Sequence, residues 1–153
     1  MGEPFRLGLR VEDVSAAVSF YEGLGFESEG VIPNSDGEPL LAILERGQAK
    51  LVVDALVGLP FPDSARERQI QSGPRGLGAV IGLQVEDLDT TYAYCSAAGC
   101  TITCEPMDEA WGERLFTCVD PFGWEWEFFV PIPEAEPADG TKAARANWFG
   151  TGG

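Results

Sequence analysis

The sequence predicts an α+β protein built from two tandem βαβββ modules. Three observations predict this: an internal repeat, a pair of aspartates placed to cap matching helices, and short alternating strands separated by turn residues. Gly8-Leu9-Arg10-Val11-Glu12-Asp13-Val14 aligns with Gly82-Leu83-Gln84-Val85-Glu86-Asp87-Leu88 at an offset of 74 positions, with five identities in seven. The offset holds further on, where Phe20 meets Tyr94 and Gly25 meets Gly99. A repeat kept in register over a strand, a helix and its terminating glycine points to duplication of one supersecondary unit.

In the first module, Phe5 to Val11 is rich in strand formers. Asp13 is a good N-cap, because its carboxylate accepts an orphan N–H of the first helical turn. Val14, Ala17, Val18 and Tyr21 then fall at helical spacing and make one apolar face. Gly23 or Gly25 ends the helix. Phe26 to Ile32, Leu40 to Glu45 and Ala49 to Val53 read as three strands, with turns over residues 33–37 and 46–48. The second module repeats the order. Val80 to Val85 is a strand, and Asp87 caps a helix through Ala98. Thr101 to Glu105, Arg114 to Val119 and Glu125 to Val130 are strands. Asp120-Pro121-Phe122-Gly123 is a strong turn signal, with Pro at its second position and Gly at its fourth. Module one thus spans 5–54 and module two 78–131. Residues 55–77 form a long connection broken by Gly and Pro and carrying Arg66-Glu67-Arg68, and 132–153 reads as a poorly ordered tail.

Composition narrows the chemistry. The chain has 153 residues, 10 Lys+Arg against 25 Asp+Glu, a formal charge of −15 and no histidine. Without imidazole there is no Ser-His-Asp or Cys-His dyad and no His-ligated zinc. The negative charge argues against nucleic-acid binding, since phosphates are repelled, and is compatible with a cationic ligand. No apolar run approaches the roughly 18 to 20 residues that cross a bilayer, and residues 1–4 show no basic leader, so a cytoplasmic protein that is not a membrane protein is expected. Cys95, Cys100, Cys104 and Cys118 form no CxxC pair and read as small buried hydrophobes in a reducing compartment.

Two stretches resemble the vicinal oxygen chelate superfamily, which contains glyoxalase I, extradiol dioxygenases, fosfomycin-resistance enzymes and bleomycin-resistance proteins. One runs from Leu9 to Phe26, including Ser19-Phe20-Tyr21-Glu22-Gly23-Leu24-Gly25-Phe26. The other is Trp111-Gly112-Glu113-Arg114-Leu115-Phe116 with Asp120-Pro121-Phe122-Gly123-Trp124-Glu125-Trp126-Glu127-Phe128. The resemblance covers residues 5–131 and implies a cup-shaped mixed sheet. In metal-dependent members each module offers two inward ligands, commonly His on the first strand and Glu on the last. The matching positions here are Arg6 and Val80, Asp54 or Val52, and Glu127. No metal, no other cofactor and no catalytic residue are therefore expected.

The resemblance is nearest to the metal-free bleomycin-resistance-like branch, acidic dimers that sequester an aromatic or cationic antibiotic. It implies a homodimer and a ligand-binding set of Trp111, Glu127, Arg6, Asp54, Phe61, Trp124 and Arg114. The residues themselves leave alternatives open. Glu127 either looks into the cup, paired with Arg6, or in the opposite strand register is a solvated charge. Trp111 either stacks on a ligand or anchors its turn; Trp126 and Phe128 read as core. The rival function is a metal-free isomerase, cyclase or lyase with Glu127 or Asp54 as base and Arg6 or Arg114 stabilising an oxyanion.

Overall fold

The computed structural model describes residues 5–60 and 63–133. The chain forms two compact units, Met1–Arg75 and Gly76–Gly153. Unit one contains β1 (Leu7–Val11), α1 (Val14–Glu22), β2 (Glu27–Pro33), β3 (Pro39–Arg46), β4 (Ala49–Ala55) and α2 (Ser64–Ser72). Its sheet order is β1-β4-β3-β2, with β1 parallel to β4 and the other pairs antiparallel. Unit two contains β5 (Ile81–Gln84), α3 (Leu88–Ala97), β6 (Thr101–Glu109), β7 (Glu113–Val119) and β8 (Glu125–Pro131), in the matching order β5-β8-β7-β6. The α+β fold of two tandem βαβββ modules is thus observed.

The local chemistry explains the repeat. Asp13 Oδ1 accepts from Ala16 N at 3.0 Å, and Asp87 Oδ1 accepts from Thr90 N at 3.0 Å. Each aspartate satisfies one of the orphan donors that open a helix. Gly25 and Gly99 take φ of 95° and 91° on leaving α1 and α3, a conformation that costs glycine nothing. That need explains why both copies keep glycine there.

α1 lays Val14, Ala17, Phe20 and Tyr21 on one face of its sheet, over Leu9, Val11, Ala42, Leu44, Leu51 and Val53, all buried. Phe20 takes the place expected for Val18, which is only half-buried, because the apolar stripe runs at i+3 and i+4 from Ala17. In unit two the core is aromatic. Trp126 and Phe128 stack at 5.5 Å and 1°, Phe116 lies 5.3 Å from Phe128, and Tyr92 of α3 meets Phe116 edge-on at 5.2 Å. Burying one such ring contributes about 1.5–3 kcal/mol. Tyr94, the repeat partner of the buried Phe20, is half-buried.

The connection over 55–77 holds a helix that its Gly and Pro residues conceal. Asp63 caps α2 by accepting from Ala65 N at 2.8 Å and Arg66 N at 3.4 Å. Gly73 ends it, so Pro60 and Pro74 bracket the helix rather than interrupt it. Arg66-Glu67-Arg68 lies on α2. The helix buries no residue fully and is held by polar contacts, including Gln71 Nε2 to Glu67 Oε1 at 3.1 Å. Among the described residues no helix is long and apolar enough to cross a membrane. The expected tail, 132–153, lies outside the described residues from position 134 onward.

Candidate functional site

The register of unit two decides which side chains share a face. Side chains alternate along a strand, and paired residues of neighbouring strands point the same way. Trp126 and Phe128 are buried on the side of α3. Glu125, Glu127 and Phe129 therefore occupy the opposite face. Across the sheet that face forms three rungs. Glu127 pairs with Thr117 on β7 and Gly82 on β5; Phe129 pairs with Leu115, which pairs with Met107; Glu113 stands between Glu109 and Pro131. The last two rungs add carboxylates at one end and an apolar middle. Gly82 contributes no side chain beside Glu127.

Trp111 sits in the β6–β7 turn and donates its indole N–H to Glu113 Oε1 at 2.7 Å. It is half-buried, and so is Glu127. Burial pushes the Glu127 carboxyl above the ordinary glutamate range, and the charges of Glu113 and Glu109 push it the same way. Every charge acting on Glu127 in this shift is negative. Three carboxylates and an indole around an apolar strip are an arrangement that a cation with an aromatic body would relieve.

The other expected site residues fall elsewhere. Arg114 belongs to the helix-side rung, between Asp108 and Val130, and makes a two-pronged ion pair with Asp108 at 2.6 and 3.2 Å. The sheet thus separates it from Glu127. Trp124 covers the backbone of Gly76, where a Cβ would lie 2.6 Å from its ring carbons. Its N–H and that of Phe122 donate to Asp120 Oδ1, each at 2.9 Å, and Trp126 Nε1 donates to Asp120 Oδ2 at 2.9 Å. Asp120, 4% exposed, is thus the buried organiser of the last hairpin. Phe61 lies outside the described residues.

In unit one, Arg6 is exposed just ahead of β1. Asp54 faces away from α1, in register with Arg10 on β1 and Leu41 on β3. Burial raises its carboxyl, and the positive charge of Arg10 opposes that rise. A separate cavity of about 330 Å3 opens at the N-terminus of α1, lined by Glu12, Asp13, Glu38, Leu40 and Val57 among others. The sequence-based site includes neither this cavity nor Glu109, Glu113 and Arg10. The β7–β8 turn carries the signal for Glu113: extending the strand pairing back from Asp120–Gly123 brings it onto the face of Glu127.

Register also resolves the choice between Asp54 and Val52. Val52 pairs with Gly8 on β1 as Glu127 pairs with Gly82 on β5, so Val52 is the counterpart of Glu127. The positions that the family resemblance matches to metal ligands then read Arg6 and Val52 in unit one and Val80 and Glu127 in unit two. One carboxylate, two aliphatic groups and a guanidinium do not fit a divalent ion.

Two βαβββ units with an acidic, aromatic-edged sheet face define the class of fold. The chain belongs to the Glyoxalase/Bleomycin resistance protein/Dioxygenase superfamily, whose family model matches residues 5–128. It is similar to the uncharacterized protein Rv0887c of Mycobacterium tuberculosis, 27% identical over 128 residues that cover 82% of this chain and 73% of the relative. Among solved structures, TioX from Micromonospora sp. ML1 matches with a TM-score of 0.61 at 24% identity, covering 83% of this chain and 98% of that one. A bleomycin resistance determinant encoded on transposon Tn5 matches with a TM-score of 0.54 at 23% identity, over 85% and 98%.

Proposed function

We propose that the protein is a metal-independent binding protein that sequesters an aromatic or cationic natural product, of the antibiotic class, and so confers resistance without altering its ligand. The observation that carries this reading is the convergence of Glu127, Glu113 and Glu109 beside Trp111 on one sheet face. A carboxylate raised by neighbouring carboxylates, as Glu127 is, is stabilised by a bound cation, and the indole offers a stacking edge. Net charge of −15 would draw a cationic ligand in. The fold shared with the Tn5 bleomycin resistance determinant supports the ligand class. A homodimer is part of the proposal.

The test is incubation of the protein with bleomycin and a panel of cationic aromatic compounds, followed by mass analysis of ligand released on denaturation. Recovery of an unchanged bound compound is expected. A second reading, a metal-free isomerase, cyclase or lyase, is favoured by the raised Glu127 carboxyl, which suits a general base. It requires an altered compound, with conversion lost in Glu127→Gln while binding survives.

A further inference from the structure

The side of unit two that faces α3 carries a cluster that the ligand face does not use. Cys95 lies in the last turn of α3, Cys100 in the turn that follows, and Cys118 on β7 beneath them. The turn folds back by a hydrogen bond from Cys100 N to Cys95 O at 3.0 Å. The three Sγ atoms all lie within 4.8 Å of one another. Cys95 and Cys118 are fully buried, and Cys100 is half-buried, so the cluster is reached from the side of Cys100.

Cys118 shares its rung with Ile102 and Trp126, on the face opposite Glu127. Neighbouring Asp120 has its carboxylate oxygens engaged by Phe122, Trp124 and Trp126 and is no free fourth donor. The thiols already share protons unevenly. Hydrogen bonds from Cys100 and Cys118 hold the Cys95 thiol down to about 4. Cys118 is raised by its hydrogen bonds to Cys100 and Cys95 and by burial. Three sulfurs this close can converge on one ion, each losing its proton as the ion enters.

We propose that Cys95, Cys100 and Cys118 form a binding site for a soft, closed-shell metal ion of low coordination number, with monovalent copper as its natural probe. Thiolates select soft ions, and three sulfurs at about 2.3 Å from a central ion stand about 4 Å apart, within the spread seen here. An all-sulfur site with three donors favours copper(I) over zinc, which takes four ligands in closed sites. The proposal is independent of the ligand face.

The experiment is an anaerobic competition of the reduced full-length protein against a copper(I) chelator such as bathocuproine disulfonate. Transfer of one copper per chain, with thiolate-to-copper absorption in the ultraviolet, is expected. Cys100→Ser, at a half-buried turn position, should weaken copper binding by about tenfold or more. Cys104→Ser should leave it unchanged, because Cys104 on β6 contacts Met107 Sδ at 3.7 Å and lies outside the cluster. Circular dichroism confirms that both variants fold. The proposal is overturned if copper stays with the chelator, if only Cys104→Ser weakens binding, or if zinc outcompetes copper for the site.

Discussion

Glu127 concentrates the physics of the candidate site in one carboxyl. Its folded pKa is raised by burial and then by Glu113 and Glu109. A carboxyl raised in the folded state binds more protons there than in the unfolded chain. Its favourable contribution is complete below the unfolded value and is lost as pH rises through the folded value. At neutral pH the charged group therefore burdens the fold. Glu127→Gln should have a higher melting temperature than the parent at pH 7, and the gap should shrink toward zero near pH 4. Paired thermal melts across that range check the sign; a variant less stable at pH 7 would mean that Glu127 has a favourable partner. Arg114 is the opposite case. It is expected in the same ligand-binding set as Glu127, and strand parity assigns it to the other face, where Asp108 holds it.

At the scale of elements, the caps and the hairpin are what the sequence makes legible. Asp13 and Asp87 precede apolar helical stripes, and each accepts the amide three residues on. Asp63 obeys the same chemistry, yet α2 is hidden because it lacks an apolar stripe and stands among prolines and glycines. Periodicity reports burial, and a helix that buries no residue fully has little to report. Asp13→Ala should cost the protein about 1 kcal/mol of global stability in urea denaturation. Asp63→Ala should leave the global midpoint unchanged and instead speed amide exchange at Ala65 and Arg66, since α2 opens without disturbing the core. The acidic face is less legible than the core. Alternation on β8 puts Glu127 and Phe129 together, but Glu113 and Glu109 join them only through pairing across three strands.

For the whole molecule, duplication explains both what is kept and what has diverged. The two units retain strand order, helix caps and terminating glycines. Their sheet faces differ: Val52 stands where Glu127 stands, and Arg6 and Val80 occupy the remaining positions of the family's metal centre. On the proposed reading recognition comes from charge and rings, and charge acts at range. Capture of a cationic ligand should slow by about tenfold or more in association rate as salt rises from about 0.02 to about 0.5 M, because the screening length falls below about 10 Å over that range. A rate insensitive to salt would remove net charge from the account. The proposed homodimer predicts a mass near twice the 16.4 kDa of one chain by sedimentation.

The proposed function requires that the acidic, Trp111-edged face of unit two bind a cationic aromatic molecule. Titration of the parent protein and of Glu127→Gln with bleomycin and the cationic aromatic panel, read by intrinsic tryptophan fluorescence, tests it most directly. Saturable quenching by at least one cationic compound is expected, with at least about tenfold weaker binding in the variant. Equal affinity of parent and variant, or a preference for anionic compounds, would contradict it.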